Sequence, residues 1–424
     1  MPLQSLIDDA LAKTPPGRAV WIALSGGLDS SLLLTLVAEA RHRHPRDLYA
    51  VHVNHGLQSA AADFELHSRR LCTQLGIPLS VDRVAVAENH ESGLEGAARE
   101  ARYAAFLRHV GTDEALWLAQ HRNDQAESFL LAALRGSGTR GLAGMGQVRH
   151  WRGRRLMRPL LDVPRSQLEA LARQRNISWI EDPTNADTVQ DRNFLRQRVL
   201  PLLEQRWPAA SASLATSARL AGDADDLLDD LAALDLAVAG GDPTCLPVHA
   251  LLALSGPRLR LLLRYCCQRQ GLPTPPAARL ATLIEQLTAR HDAKVHITWT
   301  GAEARRWRGH LYMMETRDSM PEEWWASWNG ESRLLTPLGP LCWQLQCRSG
   351  DATSLHVSPR LGGERLHLPR RGHRDLKRLL QEQEMPPWRR QDVLVVWHHD
   401  TPVAALEPTG AFGVCAEGWQ LTPI

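Results

Sequence analysis

The sequence predicts an α/β protein: a doubly wound parallel sheet, then a helical middle domain and a small α+β C-terminal domain. Three observations lead there. Over the first two hundred residues, apolar runs of strand length alternate with helix-period segments, the pattern of parallel strands covered on both faces. The rhythm then breaks at glycine- and proline-rich points, most sharply at Gly240, Gly241, Asp242 and Pro243. Finally, 424 residues are too many for one core, at about 150 residues per domain. We expect a catalytic domain over 1–215, a middle domain over 216–320 and a C-terminal domain over 350–424.

In chain order, 19–24 (AVWIAL) reads as a buried strand, 30–40 as a helix, and 48–53 (LYAVHV) as a second strand. A helix over 63–75 closes at Gly76, and 79–86 forms a third strand. An Ala- and Arg-rich helix covers 94–110, a fourth strand 115–119, and a helix 124–134 ends near Gly136. The stretch 135–158 departs from this rhythm: it is glycine-rich and holds seven arginines with no acid between them. Helical patterns return at 164–175 and 189–203, and a polar Ala/Ser stretch over 208–217 leads into a long Ala/Leu/Asp helix. Residues 246–312 read as a helical unit ending in two short strands, and the chain from 355 as mixed strands with one helix over 374–384.

Composition excludes several classes. The charge is 49 basic against 47 acidic residues, a net +2, so a polybasic coat is excluded while a local nucleic-acid site is not. No apolar run reaches the roughly 20 residues of a membrane helix. The first residues carry Asp8 and Asp9 and lack the form of a signal peptide, so a cytoplasmic protein without a membrane partner is expected. Seven scattered cysteines with no Cys-x-x-Cys pair point to reduced thiols rather than a zinc or iron–sulfur site. Lysine occurs only at Lys13, Lys294 and Lys377, and no Gly-x-x-x-x-Gly-Lys-Ser/Thr loop is present.

Ser25-Gly26-Gly27-Leu28-Asp29-Ser30-Ser31 lies between the first strand and the first helix. Two glycines let the backbone turn sharply and approach a ligand. The serine hydroxyls can donate to phosphate oxygens, and the helix start offers free N–H groups and its positive dipole end. Asp29 suits a phosphate only through a cation, which assigns it to Mg2+.

This loop resembles that of the pyrophosphate-loop ATPases, which cleave ATP between its α- and β-phosphates. Further segments narrow the resemblance: His52-Val53-Asn54-His55-Gly56-Leu57, Glu95 to Tyr103 (EGAAREARY), Ala119 to Ser128 (AQHRNDQAES), Leu134 to Gly138, Gly141 to Met145, Arg158-Pro159-Leu160-Leu161, Glu181 to Asn185 and Arg192-Asn193-Phe194-Leu195-Arg196. In that order they resemble the tRNA(Ile)-lysidine synthetases. The likeness is dense over the first two hundred residues. It extends to 246–314 and to Arg360 to Glu364, Asp375-Leu376-Lys377 and Pro386-Pro387-Trp388.

The resemblance implies an adenine-nucleotide hydrolase-like sheet and ligation of free L-lysine to the 2-position of the wobble cytidine of tRNA(Ile) with a CAU anticodon. ATP adenylates the base oxygen, the lysine amine attacks the carbon, and AMP leaves after pyrophosphate. ATP would sit on Ser25, Gly26, Gly27, Leu28, Asp29 and Ser30. If strands one and four are neighbours, Asp29 and Asp124 face one crevice and bracket Mg2+. Arg99 and Arg102 share a helix face, and one of them would stabilise either the transferring phosphoryl group or the adenylated base. Glu127, one turn past Asp124, would either bind the lysine ammonium or help remove its proton. His52 and His55 contact the nucleotide or serve the fold. Two arginine groups suit RNA phosphate: Arg135, Arg140, Arg152, Arg154 and Arg155 in the glycine-rich stretch, and Arg371, Arg374 and Lys377 near the end. A monomer and a homodimer fit equally. A sulfur-inserting tRNA enzyme on the same scaffold would need reactive cysteines, and the N-terminal half holds only Cys72.

Overall fold

A six-stranded sheet organises the N-terminal half: β1 (Val20–Ala23), β2 (Leu48–Asn54), β3 (Leu79–Arg83), β4 (Ala115–Trp117), β5 (Val148–Trp151) and β6 (Arg154–Met157). The order is β3-β2-β1-β4-β6-β5; every neighbouring pair is parallel except β5 with β6. The computed structural model describes residues 3–56, 61–85, 93–182, 188–288, 295–348, 350 and 354–424. Leu57, Pro183 to Asn185, Lys294 and the end of the expected third strand at Val86 fall outside them.

The alternation of side chains along β1 explains its unbroken apolar run. Val20, Ile22 and Leu24 enter one core with Leu32, Leu33, Leu36 and Val37. Ala19 and Trp21 enter a second, with Phe106 and Leu116. Around the sheet lie α1 (Leu3–Ala12), α2 (Leu28–Ala40), α3 (Ala61–Leu75), α4 (Gly93–His109), α5 (Arg122–Leu134), α6 (Thr139–Leu142) and α7 (Arg165–Gln174). α2 packs on α1, α3 and α7, which is why it is apolar on nearly every side. Each fully buried leucine on it contributes about 1.5–3 kcal/mol. Cys72 of α3 is one of the buried core residues.

Two elements differ from expectation. The stretch 135–158 is ordered as α6 and the β5–β6 hairpin, and β6 joins the main sheet beside β4. Its apolar signal is only Leu156 and Met157, both buried, behind two arginines. Next, 189–203 forms α8 (Asp191–Phe194), a π-helical turn (Leu195–Val199) and α9 (Leu200–Arg206). Pro201 lacks the N–H that an α-helix would bond to the carbonyl four residues earlier, and the ladder widens just before it. The long helix α10 (Ala210–Val238) starts within the polar Ala/Ser stretch.

The chain divides into two units, Met1–Asp230 and Leu231–Ile424. In the second, β7 (Cys245–Pro247), β8 (His296–Trp299), β9 (Ala302–Trp307) and β10 (His310–Glu315) form a sheet of order β7-β10-β9-β8. It packs with α11 (Val248–Leu252), α12 (Gly256–Arg269) and α13 (Ala277–Leu287) around Leu263, Cys266, Cys267 and Leu283. So the expected helical unit carries a sheet of its own. Beyond it, Ala326–Trp328, Leu355–Pro359, Leu394–His398, Thr401–Leu406 and Gly413–Cys415 form an antiparallel five-stranded sheet. No helix among the described residues is long and apolar enough to cross a membrane.

Candidate active site

β1 runs into α2 through a tight bend. Gly26 has φ +88°, and a Cβ there would stand 3.1 Å from the Phe64 carbonyl oxygen and 3.1 Å from its ring, so glycine alone fits without strain. The Ser25 N–H donates to Ser30 Oγ (3.1 Å), and Ser30 Oγ donates to the Gly27 carbonyl (3.2 Å). The two hydroxyls lie 3.0 Å apart and draw the bend around the first turn of α2. No side chain caps that 13-residue helix at Gly27, which leaves its positive end for an anion. Leu28 is a core residue, and Ser31 is fully buried with its hydroxyl 3.4 Å from His67. Ile180 N–H donates to the Gly26 carbonyl (3.1 Å), pinning a later segment to the bend.

β1 and β4 are adjacent, the point where strand order reverses, so the ends of both strands open on one crevice. The buried imidazole of His121 joins them. Its Nε2 lies 3.7 Å from Asp29 Oδ2 and 3.5 Å from Asp124 Oδ2. Asp29 Oδ1 is buried without a hydrogen-bond partner. Burial pushes the Asp29 pKa up, against the pull of His121 and Arg165. Asp124 Oδ2 accepts from the His121 backbone N–H (3.0 Å) and Oδ1 from Arg196 Nη2 (2.9 Å).

Glu127 is wholly buried, not an exposed helix charge. Its oxygens accept from Arg196 Nε (2.7 Å) and Nη2 (2.9 Å), and Arg192 Nε stands 3.5 Å away. Burial raises its pKa, against the pull of Arg196. Arg196 sits on the π-helical turn and joins the two acids of α5. His121 and Arg196 both stand in the quoted motifs, but no spacing rule gives them these roles. His52 serves the fold: its Nδ1 bonds the Leu24 carbonyl at 2.8 Å, and burial lowers its pKa.

The donor set fits magnesium. Among the described residues no group of three or more His, Cys, Asp or Glu forms a metal cage. Mg2+ needs none, since it binds through one or two carboxylates together with phosphate oxygens and waters. Asp29, with one unpartnered buried oxygen, and Asp124 are the two carboxylates that would hold it.

The basic residues separate into groups. Arg99 is exposed on α4, with its guanidinium 5.0 Å from the Tyr103 ring centroid. Its Nη2 donates to the Tyr103 hydroxyl (3.4 Å), which also bonds Arg158, directly after β6, at the carboxyl edge of the sheet, the edge that carries the bend. Arg152, Arg154 and Arg155 lie at the start of β6, the opposite edge. Arg154 donates from Nε to the Val110 carbonyl (2.6 Å) and from Nη2 to the Leu107 carbonyl (3.3 Å), closing the end of α4. Arg140 pairs with Asp225 (2.9 Å) and Asp229 (2.8 Å) of α10, so the acids missing from the stretch come from later in the chain. Arg135 is exposed, 3.9 Å from Asp191. Arg371 pairs with Glu382 (3.1 Å), while Arg374 and Lys377 are exposed.

A glycine-bent loop at a helix start, with a second acid at the start of the helix that follows the neighbouring strand, defines a pyrophosphate-loop ATP-using domain, and the PP-loop domain family model matches residues 3–203. The TilS substrate binding domain matches 246–312, and the TilS substrate C-terminal domain 355–420. The chain is 43% identical over 398 residues to the tRNA(Ile)-lysidine synthase of Xanthomonas campestris pv. campestris (strain 8004), covering 92% of this chain and 91% of that protein. It is 44% identical over 406 residues to that of Xanthomonas axonopodis pv. citri (strain 306), covering 93% and 90%. With that of Pseudomonas putida it shares 39% over 423 residues, 95% of each. The chain belongs to the tRNA(Ile)-lysidine synthase family.

Proposed function

We propose that the crevice between β1 and β4 is the single site at which this chain carries out the activity of its family, ATP-dependent lysidine formation on tRNA(Ile). The observation that carries this reading is the convergence of Asp29 and Asp124 on one imidazole beside the phosphate bend.

The bend from Ser25 to Ser30 holds the triphosphate through backbone N–H groups and the α2 dipole. Asp29 and Asp124 hold Mg2+, which when bound offsets charge on the phosphates. Arg196 keeps the Asp124 carboxylate oriented, and Glu127 acts as a positioning residue by fixing Arg196. In the first half-reaction the 2-oxygen of the wobble cytidine of the CAU anticodon bonds to the α-phosphorus, and pyrophosphate leaves. In the second, the amine of free L-lysine bonds to C2 and gives up its proton to solvent, while the C2–O bond breaks and AMP departs with the former base oxygen. That amine must be neutral to attack, although its ordinary pKa is about 10.4. Arg99 supplies positive charge beside the adenylated base. Arg135, Arg152 and Arg155, with Arg371, Arg374 and Lys377 in the second unit, are the candidates for phosphate contact with the rest of the tRNA.

AMP release from ATP that requires both lysine and tRNA(Ile) is the expected signature. D29A and D124A should abolish it while leaving the circular-dichroism spectrum unchanged. Wild-type turnover in either variant removes the two-carboxylate site. Lysine-independent turnover with a sulfur donor removes the ligase reading.

A further inference from the structure

Arg158 is a charged side chain with only 2% of its surface exposed. Its Nε donates to Gln120 Oε1, its Nη1 to the Gly146 carbonyl (2.8 Å), and the Tyr103 hydroxyl is a further partner. All three are neutral. Elsewhere the buried carboxylates Glu65, Glu127, Asp235 and Glu407 each meet an arginine. Among the described residues no carboxylate forms an ion pair with Arg158. Instead the like charges of Arg149 and Arg99 act on it, adding to burial in lowering its pKa. A guanidinium stays ionised in proteins, so a buried one among like charges is costly unless an anion completes it.

We propose that Arg158, with Arg99 and Arg149, forms a phosphate subsite that takes a phosphodiester of the RNA strand beside the nucleotide being modified. The inference rests on the proposed function and extends it to the substrate backbone. Four placements support it. Gln120, bonded to Arg158, directly precedes His121, so the subsite adjoins the acid pair. β6 lies two strands from β1, roughly 10 Å away, too far for a phosphate already seated on the bend. Arg149 is exposed on β5, the edge strand, where a nucleic-acid chain has access. Arg99 Nη2 donates to the Tyr103 hydroxyl (3.4 Å), so one phenol links the two guanidiniums, and arginine suits phosphate through its planar set of donors.

The test measures tRNA(Ile) affinity across a salt series, and ATP affinity separately, for full-length R149Q and R158Q with melting curves alongside. R149Q should weaken tRNA binding about tenfold and make the log–log salt slope shallower by roughly 1, with ATP affinity unchanged. R158Q should do the same, more strongly. Loss of ATP affinity with tRNA affinity intact assigns the subsite to the nucleotide's phosphates and overturns the RNA assignment. Folded variants with neither affinity changed reduce Arg158 to a scaffold residue. Should R158Q fail to fold, R149Q decides the matter. Lysine- and tRNA-dependent AMP release by the wild type is run in parallel. Its absence would sink the proposed function, whereas unchanged salt slopes would sink the subsite alone.

Discussion

Glu65 of α3 shows how a single carboxylate can tie three elements. Its side chain accepts from Asn54 at the end of β2 (3.1 Å), from Arg69 one turn along (2.9 Å) and from Arg83 at the end of β3 (3.1 Å). Burial pushes its pKa up, but the bonds from Arg69, Asn54 and Arg83 outweigh it and hold the carboxyl at about 2 against an ordinary 4.5. A depressed carboxyl pKa contributes stability above the unfolded value and loses it as pH falls through the folded one. E65Q should therefore destabilise the protein at pH 7 by about 1–3 kcal/mol, discounted because both arginines are largely exposed. The gap to wild type should close as pH falls from 4.5 toward 2, which urea titrations at several pH values would read. A gap constant over that range contradicts the account. Residue types in motifs were legible: Asp29 and Asp124 do reach one crevice. The residue between them was not, because His121 and Arg196 gain their roles only when β4 and the π-helical turn fold against each other.

Elements were legible where burial is two-sided and runs are long. β1 and β2 each present apolar residues to both faces, so their sequence shows them plainly. β6 and β9 each carry two arginines in a short strand, and a pattern rule reads such segments as loop. Their charges find partners that a pattern rule does not read: Arg154 the carbonyls at the end of α4, Arg305 the buried Glu303 two residues earlier on the same strand, at 2.9 Å. Arg154 in the basic stretch is therefore part of the fold. R154A should cost about 1–2 kcal/mol by leaving helix-end carbonyls unpartnered, seen as a lower melting temperature. Its tRNA salt slope should match the wild type, since its guanidinium is taken up by the Val110 and Leu107 carbonyls. A flattened slope in a variant of unchanged stability reverses that assignment.

At the scale of the molecule, each unit has cores of its own. Val20, Ile22 and Leu33 anchor the first unit; Leu263, Leu283 and Ile297, with Val357 and Val396, anchor the second. Two cooperative transitions are expected in calorimetry. ATP with magnesium should raise the transition of the first unit alone, by about 2.7 kcal/mol at a hundredfold excess over the dissociation constant. A single transition that shifts as a whole would show the units unfolding together. The sequence suggests a domain boundary at 215/216 and a break near Gly240; the division into units falls between the two, inside α10, because an unbroken helix gives no break in composition to read.

The buried thiols give this chain a built-in clock. Cys72 belongs to the first unit, Cys266 and Cys267 to the second, and burial lifts their pKa values to about 12, about 12 and about 11. Reagents that attack the thiolate are refused at all three while the native state holds. Pulse alkylation followed by peptide mapping would thus time the opening of each half separately, at cysteines the chain already carries.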